Sequence, residues 1–203
     1  MICHHCNKNP LILKSFLAIL SLILIYTFLF LFLDKPIAQF FQTIPSTNIF
    51  YKTSLAFAKI FSPTHILGLA IITFGIGFAR KNKSFKIIGA SGILAFIIAG
   101  FFKVILARYR PIELFDHGKY GFHFLSNHYE FNSTPSGHTK MFFAVLGSIA
   151  SILKNKWLWI ALISICVLVA FSRVFVSAHF FSDVVFGAYT GLLSIYWVKY
   201  FYA

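Results

Sequence analysis

The chain has 203 residues, of which 59% are hydrophobic and 11% charged, and 27 are Phe. Soluble domains carry about 25% charged residues, so an aqueous globule of this size would have too little polar surface to cover itself. That argues against a soluble enzyme, a disordered chain and a DNA-binding domain, and for an integral membrane protein.

The net charge of +13 comes from 18 Lys and Arg against five acids. In a soluble protein that balance would suggest nucleic acid as the partner. Here the basic residues lie between or beside long apolar runs, with no basic helix or stripe. Their expected partners are anionic lipid head groups and an anionic substrate, not nucleic acid. Three cysteines give no disulfide framework, and Cys166, inside an apolar run, reads as a small core residue.

In chain order, Cys3-His4-His5-Cys6 comes first. It is too compact for one zinc ion, because neighbouring side chains diverge, and it is expected to be incidental. Leu11 to Leu33 is apolar except for Lys14, and its 19 uncharged residues from Ser15 onward match the roughly 20 that span a bilayer core. Asp34-Lys35-Pro36 follows instead of small residues, so a retained helix is expected rather than a cleaved leader. Ser46 to Phe61 is amphipathic and reads either as a helix on the membrane surface or as a plain loop. Further apolar runs are Pro63 to Ala79, Ile87 to Phe102, Met141 to Leu153, Trp157 to Ser172 and Val184 to Val198. The sequence therefore predicts an all-α, polytopic membrane protein of six transmembrane helices, with residues 1–203 as one domain.

The 18 basic residues divide evenly between the two sides of such a bundle. Setting aside Lys103, Arg110 and Arg173 for the site below, the compact Arg80 to Lys86 cluster decides the orientation by the positive-inside tendency. Both termini and that cluster are expected in the cytoplasm.

Ionisable residues in or beside membrane helices are expensive and mark function. They fall in three places: Lys103 to Arg110, Pro135 to His138, and Arg173 to Asp183. Helix counting puts all three at the same face of the bundle. Lys103 and Arg110 are seven apart, two helical turns, with Pro111 ending the helix. Each alone could instead reach for head groups, the role expected of Arg108. Thr134 suits an N-cap and Pro135 the first helical position. The amides of Ser136 and Gly137 would then be free to meet an anion, with His138 in the same turn. An ordinary helix start is the other reading. His179 and Asp183 are four apart, so one helical face can present both. The acid would fix the ring's tautomer and make the other nitrogen a nucleophile or base. Arg173 could reach the same phosphate as a multi-donor fork. Alternatively, Asp183 pairs with Arg173 or a lysine and only fixes packing.

Lys103-Val-Ile-Leu-Ala-Arg-Tyr-Arg110-Pro111, Pro135-Ser136-Gly137-His138, and Ser172-Arg173 followed by His179 and Asp183 resemble the three signatures of the type 2 phosphatidic acid phosphatase (PAP2) superfamily, in order and at its spacing. The resemblance implies His179 as the nucleophile forming a phosphohistidine, Asp183 as its orienter and His138 as general acid. It implies Lys103, Arg110, Ser136, Gly137 and Arg173 as the phosphoryl cradle, with no metal or other cofactor.

Asp116, His117, His123, His128 and Glu130 occupy the loop between the first two signatures. Their spacing is irregular for a metal site, and a specificity loop or ordinary solvated residues are expected. Lys140 is unusual one turn into a membrane helix and either lines the pocket or pairs with an acid. The implied activity is hydrolysis of a lipid phosphate or diphosphate: undecaprenyl diphosphate, phosphatidic acid, phosphatidylglycerol phosphate or lipid A. The implied setting is a bacterial inner membrane, with the site facing the periplasm. A phosphotransferase using the same phosphohistidine and a non-enzymatic anion transporter are the alternatives. The oligomeric state is not legible.

Overall fold

A computed structural model describes residues 9–202; the Cys3 to Cys6 motif lies outside the described residues. α1 (Asn9–Phe28) passes through a π-helical turn (Leu29–Leu33) into α2 (Asp34–Gln42). α3 (Ile49–Ile60) and α4 (Pro63–Ala79) follow, then α5 (Lys83–Leu106), the short α6 (Pro111–His117), α7 (Gly137–Ile152), α8 (Lys156–Phe175) and α9 (Phe181–Tyr202). The only pairing of extended backbone among the described residues is an isolated antiparallel bridge between Arg108 and Phe122.

Side-chain caps fix several helix starts. Asn48, Ser62, Asn82 and Asn155 each accept a hydrogen bond from an amide in the first turn of α3, α4, α5 and α8. Ser46 to Phe61 is therefore largely helix, and α3 meets α4 at a bend of 42°. Four stretches are long and apolar enough to cross a membrane: Leu11–Gln42, Lys83–Leu106, Lys156–Phe175 and Phe181–Tyr202. The bent α3–α4 pair makes five if it counts as one span. The sixth expected span falls on α7, which has only 16 residues, about 24 Å of helix.

α7 sits inside the bundle. Thr139, Met141, Ala144 and Ser148 are completely buried, and the helix contacts α4, α5, α8 and α9. The outward faces of the long helices carry exposed Leu24, Ile72, Ile97 and Leu168, the side chains that lipid would cover.

Close approach of α7 and α9 rests on two glycines one turn apart. A Cβ on Gly187 would meet the Ser136 carbonyl oxygen at 2.9 Å, and one on Gly191 would meet the Lys140 carbonyl oxygen at 2.7 Å. Small residues let membrane helices pack backbone to backbone. Gly187→Val is therefore expected to lower stability by about 1–3 kcal/mol, read as a lower thermal midpoint in detergent. Gly75→Ala, where a Cβ meets nothing within 4 Å, is the control expected to leave it unchanged or slightly higher.

Candidate active site

α5 ends earlier than its sequence suggests. Ala107 adopts a left-handed conformation (φ 41°), so Arg110 does not continue the helical stripe of Lys103. The chain instead doubles back. The amides of His123, Phe124, Leu125 and Ser126 donate to the carbonyls of Ala107, Leu106, Ile105 and Val104. These are the last carbonyls of α5, which have no acceptor role left inside the helix. Pro111 likewise does not end regular structure but occupies the first turn of α6.

This reversal brings Arg110 back over Lys103. Both line a cavity of about 320 Å³ together with Gly137, His138, Lys140, Arg173 and His179. Residues from all three polar clusters thus meet in one place. Ser136 is fully buried and does not line the cavity; its amide donates to the Asp183 carbonyl (3.0 Å) and its hydroxyl accepts from Thr139 (3.1 Å). Ser136, not Thr134, precedes the first residue of α7. Thr134 cannot serve as the cap because its hydroxyl is spent on Asp183. Gly137 and His138 still occupy the first turn, where amides have no intrahelical acceptor.

The cavity's cations have no carboxylate partner among the described residues. Lys103 donates to the Asn132 carbonyl at 2.5 Å. Arg110 donates to the carbonyls of Tyr129, Ala178 and Asn132, with its guanidinium 4.0 Å above the Tyr129 ring. Arg173 donates to the Ser54 carbonyl at 3.1 Å, and its buried Nε has no partner. With Lys140, four basic side chains gather around one small cavity, an arrangement suited to an anion.

His179 lies between α8 and α9 and is almost fully buried. Its Nδ1 is 2.8 Å from the Ser133 carbonyl oxygen and 3.9 Å from Asp183 Oδ2. A carbonyl only accepts, so Nδ1 carries the proton and Nε2 is left with its lone pair free. Burial, and then the positive charges of Arg110, Lys103 and Arg173, hold the imidazole well below the ordinary histidine range. His138 turns Nε2 toward the Ala58 carbonyl at 2.9 Å, which leaves Nδ1 as its nitrogen for proton transfer.

Asp183 thus reaches His179 largely through a neighbour. Its Oδ2 accepts from the Ser133 hydroxyl (2.5 Å) and the Phe180 amide (2.8 Å). Ser133 in turn presents the carbonyl that holds Nδ1. The partner that neutralises Asp183 is Arg108, at 2.5 Å, not Arg173 or a lysine.

Arg108 is the largest departure from expectation. It does not reach for head groups but is completely buried, with Nη2 2.6 Å from Asp34 Oδ2 and Nη1 on Asp183. Phe180, Phe30 and Tyr120 surround its guanidinium at 4.4, 4.9 and 5.5 Å. Two carboxylates and this aromatic cage outweigh the pull of the membrane surface. Asp34 also accepts from the Ser182 amide (2.9 Å) and hydroxyl (2.5 Å), so two acids stand at the N-terminus of α9. Asp34 is not among the residues the motifs single out, although it is the only acid among the first 112 residues and follows a membrane-length apolar run. Lys140 lines the cavity and does not pair with an acid among the described residues.

The loop residues do not converge. His117 contacts Glu113 at 3.2 Å, His123 stacks on Phe131 at 4.3 Å, and no metal-holding group of three His, Cys, Asp or Glu occurs among the described residues. Tyr129 is the loop's contribution to the cavity wall.

A family model described as the PAP2 superfamily matches residues 85–203. The chain is 27% identical over 136 residues to a lipid A 4'-phosphatase of Porphyromonas gingivalis, covering 63% of this chain and 56% of that one. It is 32% identical over 102 residues to a lipid A 1-phosphatase of Rhizobium johnstonii, covering 48% and 41%. The chain thus spans about half the length of the curated relatives it matches. A crystal structure of a PAP2-type phosphatidylglycerolphosphate phosphatase from Bacillus subtilis shares the fold, with a TM-score of 0.57 and 23% identity over 90% of this chain and 94% of that one.

Proposed function

Since the chain belongs to the PAP2 superfamily, we propose that it is a membrane lipid phosphatase that hydrolyses a phosphate monoester or diphosphate through a phosphohistidine on His179. One observation carries the reading: a neutral, buried imidazole with a free Nε2 shares a cavity with four cations that lack carboxylate partners among the described residues.

Nε2 of His179 attacks phosphorus, the N–P bond forms and the bond to the leaving oxygen breaks. Lys103, Arg110 and Arg173, with the Gly137 amide, hold the equatorial oxygens, where fixed donors stabilise the charge of the transition state. A bound phosphate dianion favours the His138 imidazolium, which gives its Nδ1 proton to the leaving oxygen. The resulting neutral His138 then takes a proton from water, which attacks the phosphohistidine. Inorganic phosphate leaves and His179 is restored. Asp183 acts as a positioning residue through Ser133. Side-chain cations supply the electrostatics that a metal supplies elsewhere.

A site made of helix ends suits a substrate whose tail stays in lipid. The relatives' names favour lipid A and phosphatidylglycerol phosphate as candidates, beside phosphatidic acid and undecaprenyl diphosphate. The test is phosphate release by detergent-purified protein across these four lipids, with and without EDTA. Release from at least one lipid, unchanged by EDTA, is expected. No release from any of them, or release abolished by EDTA, would contradict the reading. A phosphotransferase would instead pass the phosphoryl group to an acceptor, so phosphate release without one counts against it.

The orientation that goes with this function has the site facing the periplasm of a bacterial inner membrane and the Arg80 to Lys86 turn in the cytoplasm. Asn82→Cys is then expected to resist a membrane-impermeant thiol reagent in intact spheroplasts, while Asn127→Cys reacts. The opposite pattern would invert the topology.

A further inference from the structure

Lys140 is more than the cavity needs for one phosphoryl group. Its side chain projects from the first turns of α7 with only 2% exposure into the cavity that also holds His179. Its Nζ has the Phe96 carbonyl oxygen at 3.5 Å and the Phe96 ring at 4.6 Å, and no carboxylate among the described residues. A buried lysine beside other cations is costly unless an anion joins it.

In the mechanism proposed above, Lys103, Arg110 and Arg173, with the Gly137 amide, already hold the three non-bridging oxygens of the transferred phosphoryl group. Lys103 and Arg110 converge on one carbonyl, that of Asn132, whereas the Lys140 ammonium lies apart from them against Phe96 on the wall of the same cavity. The cationic lining therefore extends beyond the reacting group.

We propose that Lys140 forms a second phosphoryl subsite, and that the substrate class is a lipid diphosphate rather than a lipid monophosphate. This rests on the phosphatase reading above. In this arrangement Nε2 of His179 attacks the terminal phosphorus and the bridging P–O bond breaks. The lipid monophosphate leaves on its bridging oxygen with its charge held by Lys140, and takes up the proton from His138. Water then cleaves the N–P bond and releases inorganic phosphate. A diphosphate brings one more negative charge and more unshared oxygens than a monophosphate, which the fourth cation answers.

The experiment compares farnesyl diphosphate with farnesyl phosphate, which share a tail, on wild type, Lys140→Met and Lys140→Arg. Wild type is expected to favour the diphosphate in kcat/KM by at least about tenfold, the worth of one charge-assisted contact. Lys140→Met is expected to erase most of that preference, with the larger loss of kcat/KM on the diphosphate, and Lys140→Arg to restore part of it. Equal losses on both substrates, or a wild-type preference for the monophosphate, would overturn the subsite. Calorimetric titration with inorganic diphosphate and phosphate supplies a readout without turnover. If neither lipid is hydrolysed but diphosphate binds more tightly and this depends on Lys140, the phosphatase reading falls and the subsite stands. If the two anions bind alike, the subsite falls whatever the activity. Lys140→Arg carries these comparisons if Lys140→Met does not fold.

Discussion

His179→Ala is expected to reduce phosphate release by at least about a thousandfold, the scale of losing a nucleophile from a site whose electrostatics remain. The fold should survive. His179 lies in the short segment before α9, and its one close side-chain hydrogen bond is to the Ser133 carbonyl. The loss should appear in kcat more than in KM, because Lys103, Arg110, Arg173 and the start of α7 still bind the phosphate. His179→Gln is expected to be as inactive as His179→Ala, since it restores polarity without a nucleophile. Near-normal release by either variant would remove His179 from the chemistry.

Arg108→Met is expected to act on the fold instead, and strongly. It would leave Asp34 and Asp183 buried with no counter-charge, a change that costs about 3–5 kcal/mol when one partner of a buried pair is removed. Three elements lose their common tie: α2 through Asp34, the loop after α5 through Arg108 and α9 through Asp183. The expected result is a sharp loss of folded protein in detergent, with any surviving fraction inactive because Ser133 is no longer held. Lys103→Met is the instructive contrast. That cation has only a carbonyl partner and like-charged neighbours, so its removal is expected to keep or raise the thermal midpoint while lowering activity. An Arg108→Met protein as stable as wild type, or a Lys103→Met protein that fails to fold, would reverse the distinction between structural and substrate-binding cations.

The sequence spacing of Lys103, Arg110, His138, Arg173 and His179 was enough to forecast that they meet, because helix counting alone sends their three segments to one face. The route by which they meet was not legible. Alanine is the strongest helix former, so nothing local announces that α5 stops before Ala107; residues 123–126 fold back onto its last carbonyls. Arg108 and Asp34 were misread or missed for a related reason. Their contact joins residues 74 apart, and a single sequence carries no signal that pairs them beyond the oddity of an acid following an apolar span. The third gap is the span count. An apolar run shows that a helix avoids water but not whether lipid or protein covers it, and α7 is covered by protein.

The most direct measurement is rapid quench of wild-type protein during turnover of its lipid substrate at alkaline pH, followed by mass spectrometry of the peptide containing His179. The account predicts one phosphoryl group on His179, formed before free phosphate appears and absent from His179→Ala. Phosphate release with no phosphoryl group on His179, or with one on a different residue, would contradict it.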